Sequence, residues 1–135
     1  HACKIIEKKI DFKYVVALQA TSPYREKKDL DSAIKKFEKT NADSLFSAHK
    51  THDTNLWHKE NGKFLANYNY LARKPRQKNK PKFLENGSFY IFKKDLFFKK
   101  KNRLFGKIAT YDQNKRSSIQ IDDFEDLKIM RKIIS

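Results

Sequence analysis

Three short stretches of this 135-residue chain hold side chains whose types and spacing suit chemistry. Gln19-Ala20-Thr21-Ser22-Pro23 follows directly on the apolar run Tyr14 to Leu18. Ligands of open α/β sheets lie beyond the carboxyl ends of strands, so an amide and two hydroxyls there face a crevice. The same hydroxyls could instead cap their own turn. Glu85-Asn86-Gly87-Ser88-Phe89-Tyr90 opens a second strand. Its glycine either permits close approach or serves a bulge. Asp122, Asp123, Glu125 and Asp126 gather where a strand passes into a helix. Such carboxylates can hold Mg²⁺, which takes one or two of them plus water and phosphate oxygens. They equally complement the helix dipole.

Other chemistries lack their residues. His1, His49, His52 and His58 show no HExxH-type spacing and no companion cysteines. Cys3 is the one cysteine, which excludes an internal disulfide framework and a Cys-rich zinc site. It reads as a packed, inert thiol. No GxSxG elbow supports a serine hydrolase.

The elements that must position these residues follow from the apolar pattern. Hydrophobic residues make up 39% of the chain and aromatic residues 13%, enough for a core and against disorder. Tyr14 to Leu18 predicts a strand buried on both faces. Leu30, Ala33, Ile34 and Phe37 recur at helical spacing with Asp29 as a cap, and Ser44 to His49 predicts the next strand. With Ala2, Ile5 and Ile6 on an initial helical face, the first fifty residues read helix, strand, helix, strand. That is the grammar of a parallel sheet with crossover helices. Ser88 to Phe92, Lys107 to Tyr111 and Ser117 to Ile121 predict further strands. Asp95 to Lys100 predicts a short helix. Asp123 caps a last helix with Leu127, Met130, Ile133 and Ile134 inward.

The segment 50–82 differs. It has little period, a hairpin signal at Asn61-Gly62, and a basic, proline-bearing run from Arg73 to Lys82. We read it as an arm inserted between 1–49 and 83–135. Lys and Arg total 31 against 16 Asp and Glu, a formal charge of +15. The lysines are spread over every segment and no RNA-binding signature accompanies them, so a solvated basic surface is favoured over a nucleic-acid module. A positive field also steers small anionic substrates. No apolar run approaches the ~20 residues that span a bilayer, and the first residues carry no signal-peptide pattern.

In order, these stretches resemble the acylneuraminate cytidylyltransferases, or CMP-sialic acid synthetases, and their legionaminic and pseudaminic acid relatives. Val15 to Pro23 (VVALQATSP) is similar to the family's strand and LQPTSP loop, and Asp43 to His49 (DSLFSAH) to its next strand. Pro75-Arg76-Gln77 and Glu85 to Phe92 (ENGSFYIF) resemble its PRQ…xNGxxYI signature. Ser118 to Leu127 (SIQIDDFEDL) resembles its metal-binding strand and helix start.

The resemblance implies a Rossmann-like αβα nucleotidyltransferase fold with a mixed sheet, a homodimer exchanging arms, and a cytoplasmic enzyme. It implies transfer of CMP from CTP to a sialic-acid-like nonulosonic acid, with Mg²⁺, for cell-surface glycans such as lipopolysaccharide or capsule. Arg76 would grip the sugar carboxylate. Gln19, Thr21, Ser22, Asn86 and Tyr90 would line the substrate site, and Asp122 would ligate the metal. Three departures stand out: Gln120 replaces the family's first metal-site aspartate, Ala20 replaces a proline, and Trp57 falls where some members carry a lysine. The family's glycine-rich phosphate loop has no counterpart, which implies a C-terminal part of the enzyme with little activity alone. A 3-deoxy-octulosonate cytidylyltransferase is the neighbouring alternative.

Overall fold

The computed structural model describes residues 1–52 and 55–134, and of Arg76 the backbone alone. Helix α1 (Ala2–Glu7) leads to strand β1 (Tyr14–Leu18), helix α2 (Asp29–Lys39) and strand β2 (Ser44–Thr51). A hairpin of β3 (Trp57–Glu60) and β4 (Lys63–Ala66) follows. Then come β5 (Lys82–Lys93), α3 (Lys94–Lys100), β6 (Ile108–Gln113) and α4 (Phe124–Ile134).

The main sheet has the order β1-β5-β2-β6. β5 is antiparallel to both β1 and β2, while β2 and β6 are parallel. β1 and β2 therefore point the same way, as the helix–strand alternation predicts, but β5 lies between them. The sheet is mixed, in keeping with the resemblance and not with an all-parallel reading.

Alternation along the strands separates two apolar layers. Leu45, Phe89 and Ile91 pack on one face with Ala33 and Phe37 of α2. Tyr90 and Phe92 pack on the other with Phe105, flanked by Leu96 and Phe97 of α3. Helices thus cover both faces.

Several sequence expectations need correction. β1 forms where expected, yet only β5 borders it, so its residues are half-buried and Leu18 is 54% exposed. α1 buries none of its residues. Ser117 to Ile121 is not a strand: Lys115–Ser118 is a 3-10 turn. The Asn114 side chain accepts the Arg116 and Ser117 N–H groups that a ladder would need. Asp29 is the first residue of α2 and not its cap, and its carboxylate accepts from the Glu26 N–H at 2.9 Å.

The Asn61-Gly62 signal is correct. Both residues have positive φ, 49° and 77°, as a two-residue hairpin turn requires. This hairpin forms a sheet of its own between β2 and β5. At the other end, Asp123 accepts from Asp126 N–H at 2.9 Å and Asp126 accepts from Asp123 N–H at 3.2 Å. α4 thus begins on a reciprocal capping box, with Met130 buried.

Candidate active site

The site is built on a break in the ladder between β2 and β5. Phe46 pairs with Tyr90, but Ala48 pairs with Glu85, so Asn86, Gly87, Ser88 and Phe89 all stand opposite Ser47. Side chains repair the gap. Ser47 Oγ accepts the Phe89 N–H at 2.9 Å and donates to Asn86 Oδ1 at 2.7 Å. Asn86 Nδ2 donates to Gln113 Oε1 and to Ser117 Oγ, both at 2.9 Å. Gln113 Nε2 in turn donates to Asp29 Oδ2 at 2.6 Å. Asn86 is only 2% exposed, and both ends of its amide are taken up by the protein. It holds the bulge and presents its carbonyl, not its side chain, to the neighbouring loop.

The bulge raises Gly87 to φ +66°. A Cβ there would lie 3.2 Å from Gln19 Oε1 and 3.3 Å from Gln120 Nε2. The missing side chain therefore lets two amides from distant parts of the chain converge over one backbone position. Gln19 Nε2 donates to Thr21 Oγ1 at 3.3 Å, and Gln120 Nε2 to the Asn86 carbonyl at 3.2 Å. The Ile121 N–H donates to the Thr21 carbonyl at 2.8 Å. Ser22 is buried, its hydroxyl 3.5 Å from the Asn86 carbonyl. Gln19, Thr21, Ser22, Asn86 and Gln120, five residues singled out from the sequence, thus meet at one end of the sheet.

Asp122 extends from this cluster. Its carboxylate is exposed and makes no hydrogen bond or ion pair with the described residues, while its N–H donates to Asp126 Oδ2 at 3.0 Å. The nearby acids are committed elsewhere: Asp123 and Asp126 cap α4, and Glu125 pairs with Lys128 at 2.6 Å. Among the described residues no three His, Cys, Asp or Glu side chains gather as a metal cluster.

Tyr90 lies on the opposite face of β5 from Phe89. Its hydroxyl donates to Glu85 Oε1, and the Arg103 guanidinium sits 4.2 Å over its ring. Burial and the Glu85 carboxylate push its pKa up to about 12, against the pull of Arg103. Tyr90 is 6% exposed. Arg76 opens a 3-10 turn, Arg76–Lys78. Its side chain, and with it the expected carboxylate grip, lies outside the described residues. His52 Nδ1 donates to the Asn79 carbonyl at 3.0 Å, tying the end of β2 to this return of the arm.

Sequence reasoning missed Arg25, Ser47, Gln113 and the buried role of Asp29. Arg25 Nη2 donates to the carbonyls of both Gln19 and Ser88 at 2.9 Å. Burial lowers its pKa, with Asp29 opposing. The one available signal was position, since Arg25 is the first cation after the turn closed by Pro23.

The fold is a mixed α/β sheet with helices on both faces and polar residues converging at strand ends. It superimposes on 4-diphosphocytidyl-2C-methyl-D-erythritol synthase from Anaerococcus prevotii with a TM-score of 0.61 at 12% identity. That match covers 94% of this chain and 62% of the other. No protein-family model matches the chain. N-acylneuraminate cytidylyltransferase A of Danio rerio is 33% identical over 111 residues, covering 78% of this chain. The chain belongs to the acylneuraminate cytidylyltransferase family. It spans 25% of the length of that relative.

Proposed function

We propose that this chain supplies the acid-sugar half of a site transferring CMP from CTP to a sialic-acid-like nonulosonic acid in the cytoplasm, for cell-surface glycan synthesis. The observation that carries this reading is the convergence of Gln19 and Gln120 over Gly87 in a member of this family. The sugar's anomeric hydroxyl attacks the α-phosphorus and pyrophosphate leaves. Such transfer depends on placement and charge neutralisation more than on covalent help.

In this mechanism Gln19, steadied by Thr21, offers its amide to sugar hydroxyls, and Ser22 fixes the loop beneath it. The resemblance gives Tyr90 to the acyl pocket, where a ring buried under Arg103 with its hydroxyl held by Glu85 would serve as a fixed wall and not as a hydrogen-bonding group. Asn86 acts through the bulge and does not touch substrate. Arg76, brought by the arm, takes the sugar carboxylate, a pairing its planar fork suits.

Asp122 fits a Mg²⁺ ion as a single free carboxylate, with water and phosphate oxygens completing the shell. Gln120 would add at most its amide oxygen, because its nitrogen is bound to the Asn86 carbonyl. The ion, when bound, neutralises triphosphate charge. Asp123, Glu125 and Asp126 contribute nothing to it.

Trp57, Phe64 and Leu65 of the hairpin are exposed, as are Tyr70 and Leu71 after it. Trp57 stacks with Tyr70 at a centroid distance of 5.3 Å. A patch of this kind suits burial against a second copy, and the arm would then carry Arg76 to the partner's sugar.

Within these 135 residues only Gly62, Gly87 and Gly106 occur, far apart, so no glycine-rich phosphate loop is present. The chain alone should therefore bind sugar acid with little turnover. Calorimetric titration with N-acetylneuraminate tests this: saturable binding, weakened in Gln19→Ala, is expected. No binding would overturn the function. Robust CMP-sugar formation from CTP and Mg²⁺ by the chain alone would overturn its inactivity.

A further inference from the structure

We propose that Arg25 is a positioning residue that sets the Gln19 amide over Gly87, and so tunes acid-sugar binding without touching the sugar. The proposal rests on the function proposed above for its ligand, and on geometry alone for its positioning step.

The ladder between β1 and β5 ends where Gln19 N–H donates to the Ser88 carbonyl at 3.2 Å. Beyond that rung the next donor is not backbone. Arg25 Nη2 bridges the Gln19 and Ser88 carbonyls, each at 2.9 Å, so one nitrogen binds the last residue of the loop's stem to the bulge opposite. Gln19 is thereby fixed at its backbone by Arg25 and at its amide by Thr21, with Gly87 leaving room between. Remove the bridge and the carbonyl of Gln19 keeps only the Ser22 N–H, at 3.3 Å.

A simple staple would not need this residue. Arg25 Nε is buried with no hydrogen-bond partner, a cost that a smaller neutral donor would avoid. Its half-buried charge is balanced by Asp29, which is itself held by Gln113 and the Glu26 N–H. The bridge reaches the buried network that holds Asn86 through Ser88, whose carbonyl accepts from Arg25 and whose N–H donates to Asn86 Oδ1 at 3.2 Å. Gln19 and the Gly87 bulge are registered against each other by one chain of hydrogen bonds. Gln19 reaches its productive place only while that chain is intact.

The test combines two readouts on the full chain. In ¹⁵N spectra, the side-chain NH₂ pair of Gln19, assigned by its loss in Gln19→Ala, should move to free-amide positions in Arg25→Ala and stay near wild type in Arg25→Lys. In titrations with N-acetylneuraminate, Arg25→Ala and Gln19→Ala should each weaken binding about tenfold, near 1.4 kcal/mol. The double variant should be no weaker than Gln19→Ala by more than about twofold, because residues acting through one another are not additive. An unchanged Gln19 signal in Arg25→Ala would overturn the proposal, as would a double variant weakened about a hundredfold. Absence of wild-type binding with the Gln19 signal still displaced would sink the function and leave the positioning role standing.

Discussion

Ser47 and Asn86 complete a strand pair that the backbone leaves open: the serine hydroxyl accepts the Phe89 N–H at 2.9 Å and donates to the Asn86 carbonyl oxygen, Oδ1, at 2.7 Å. Both residues are buried, and neither is spare. The bulge that brings Gly87 beneath Gln19 exists because this pair satisfies the polar groups it would otherwise strand.

Asn86→Ala should therefore destabilise the fold by about 3 kcal/mol, since it leaves Ser47, Gln113 and Ser117 with unmet hydrogen bonds in the interior. Ser47→Ala should cost about 1–2 kcal/mol, for the Phe89 N–H and Asn86 Oδ1 lose one partner each. Combined, the two changes should cost less than their sum. Urea denaturation of the four proteins measures this coupling, and strict additivity would mean the pair does not act as a unit.

Gly87 and Gly62 separate backbone strain from site geometry. Both have positive φ, yet a Cβ at Gly62 meets nothing within 4 Å while one at Gly87 meets Gln19 and Gln120. Alanine at either should cost about 1 kcal/mol for left-handed backbone. Only Gly87→Ala should also push the two amides aside. We expect a loss of thermal stability in both, somewhat larger in Gly87→Ala, and a loss of N-acetylneuraminate binding confined to Gly87→Ala. Calorimetry on both variants decides it.

Much of this site was legible because it lies at element ends, where residue type has local meaning. Gln19, Thr21 and Ser22 follow an apolar run, Gly87 interrupts a strand, and Asp123 stands three residues before Asp126 as a capping box must. What stayed hidden depends on contacts between residues far apart in the chain. Gln113 reads as an ordinary strand residue until its partners Asp29 and Asn86 are known, and Arg25 as another surface cation. The loss of the Ser117 to Ile121 strand has one local cause and one distant cause. Asn114 holds the local amides and Thr21 takes the Ile121 N–H, so no pairing edge remains.

Tyr90 gives a spectroscopic marker of the second face of β5. Its phenol is raised from 10.0 to about 12 by burial and by the Glu85 carboxylate. A group whose folded pKa exceeds its unfolded value stabilises fully below the unfolded pKa. That stabilisation is lost as pH rises through the folded value, here between pH 10 and about 12. Tyr14 and Tyr111 are raised as well, so the marker is the difference between titrations. Ultraviolet titration of Tyr90→Phe should lack one tyrosinate step, near pH 12, that wild type shows. Arg103→Ala should move the step higher, because the guanidinium over the ring favours the anion. A step moving lower would mean the charge does not act on the ring.

Asp43 governs the opposite limit of pH. It holds the start of β2 to the loop before β6, accepting from Lys107 N–H at 2.9 Å and from Lys93 Nζ at 2.9 Å. The Lys107 N–H, then the Lys93 ammonium, lower its pKa below 3.8. Gly106 makes this contact feasible: with φ +60° it brings its backbone so near that a Cβ would lie 2.3 Å from Asp43 Oδ2. A depressed carboxyl stabilises above its unfolded pKa and stops doing so as pH falls through the folded value. Wild type should therefore lose stability progressively below pH 3.8, whereas Asp43→Asn, weaker at neutral pH, should show a shallower acid limb. Gly106→Ala should reproduce the neutral-pH loss by displacing the carboxylate while leaving it ionisable. Thermal melts from pH 7 to pH 2 measure all three, and parallel acid limbs for wild type and Asp43→Asn would show that this carboxylate carries none of the pH dependence.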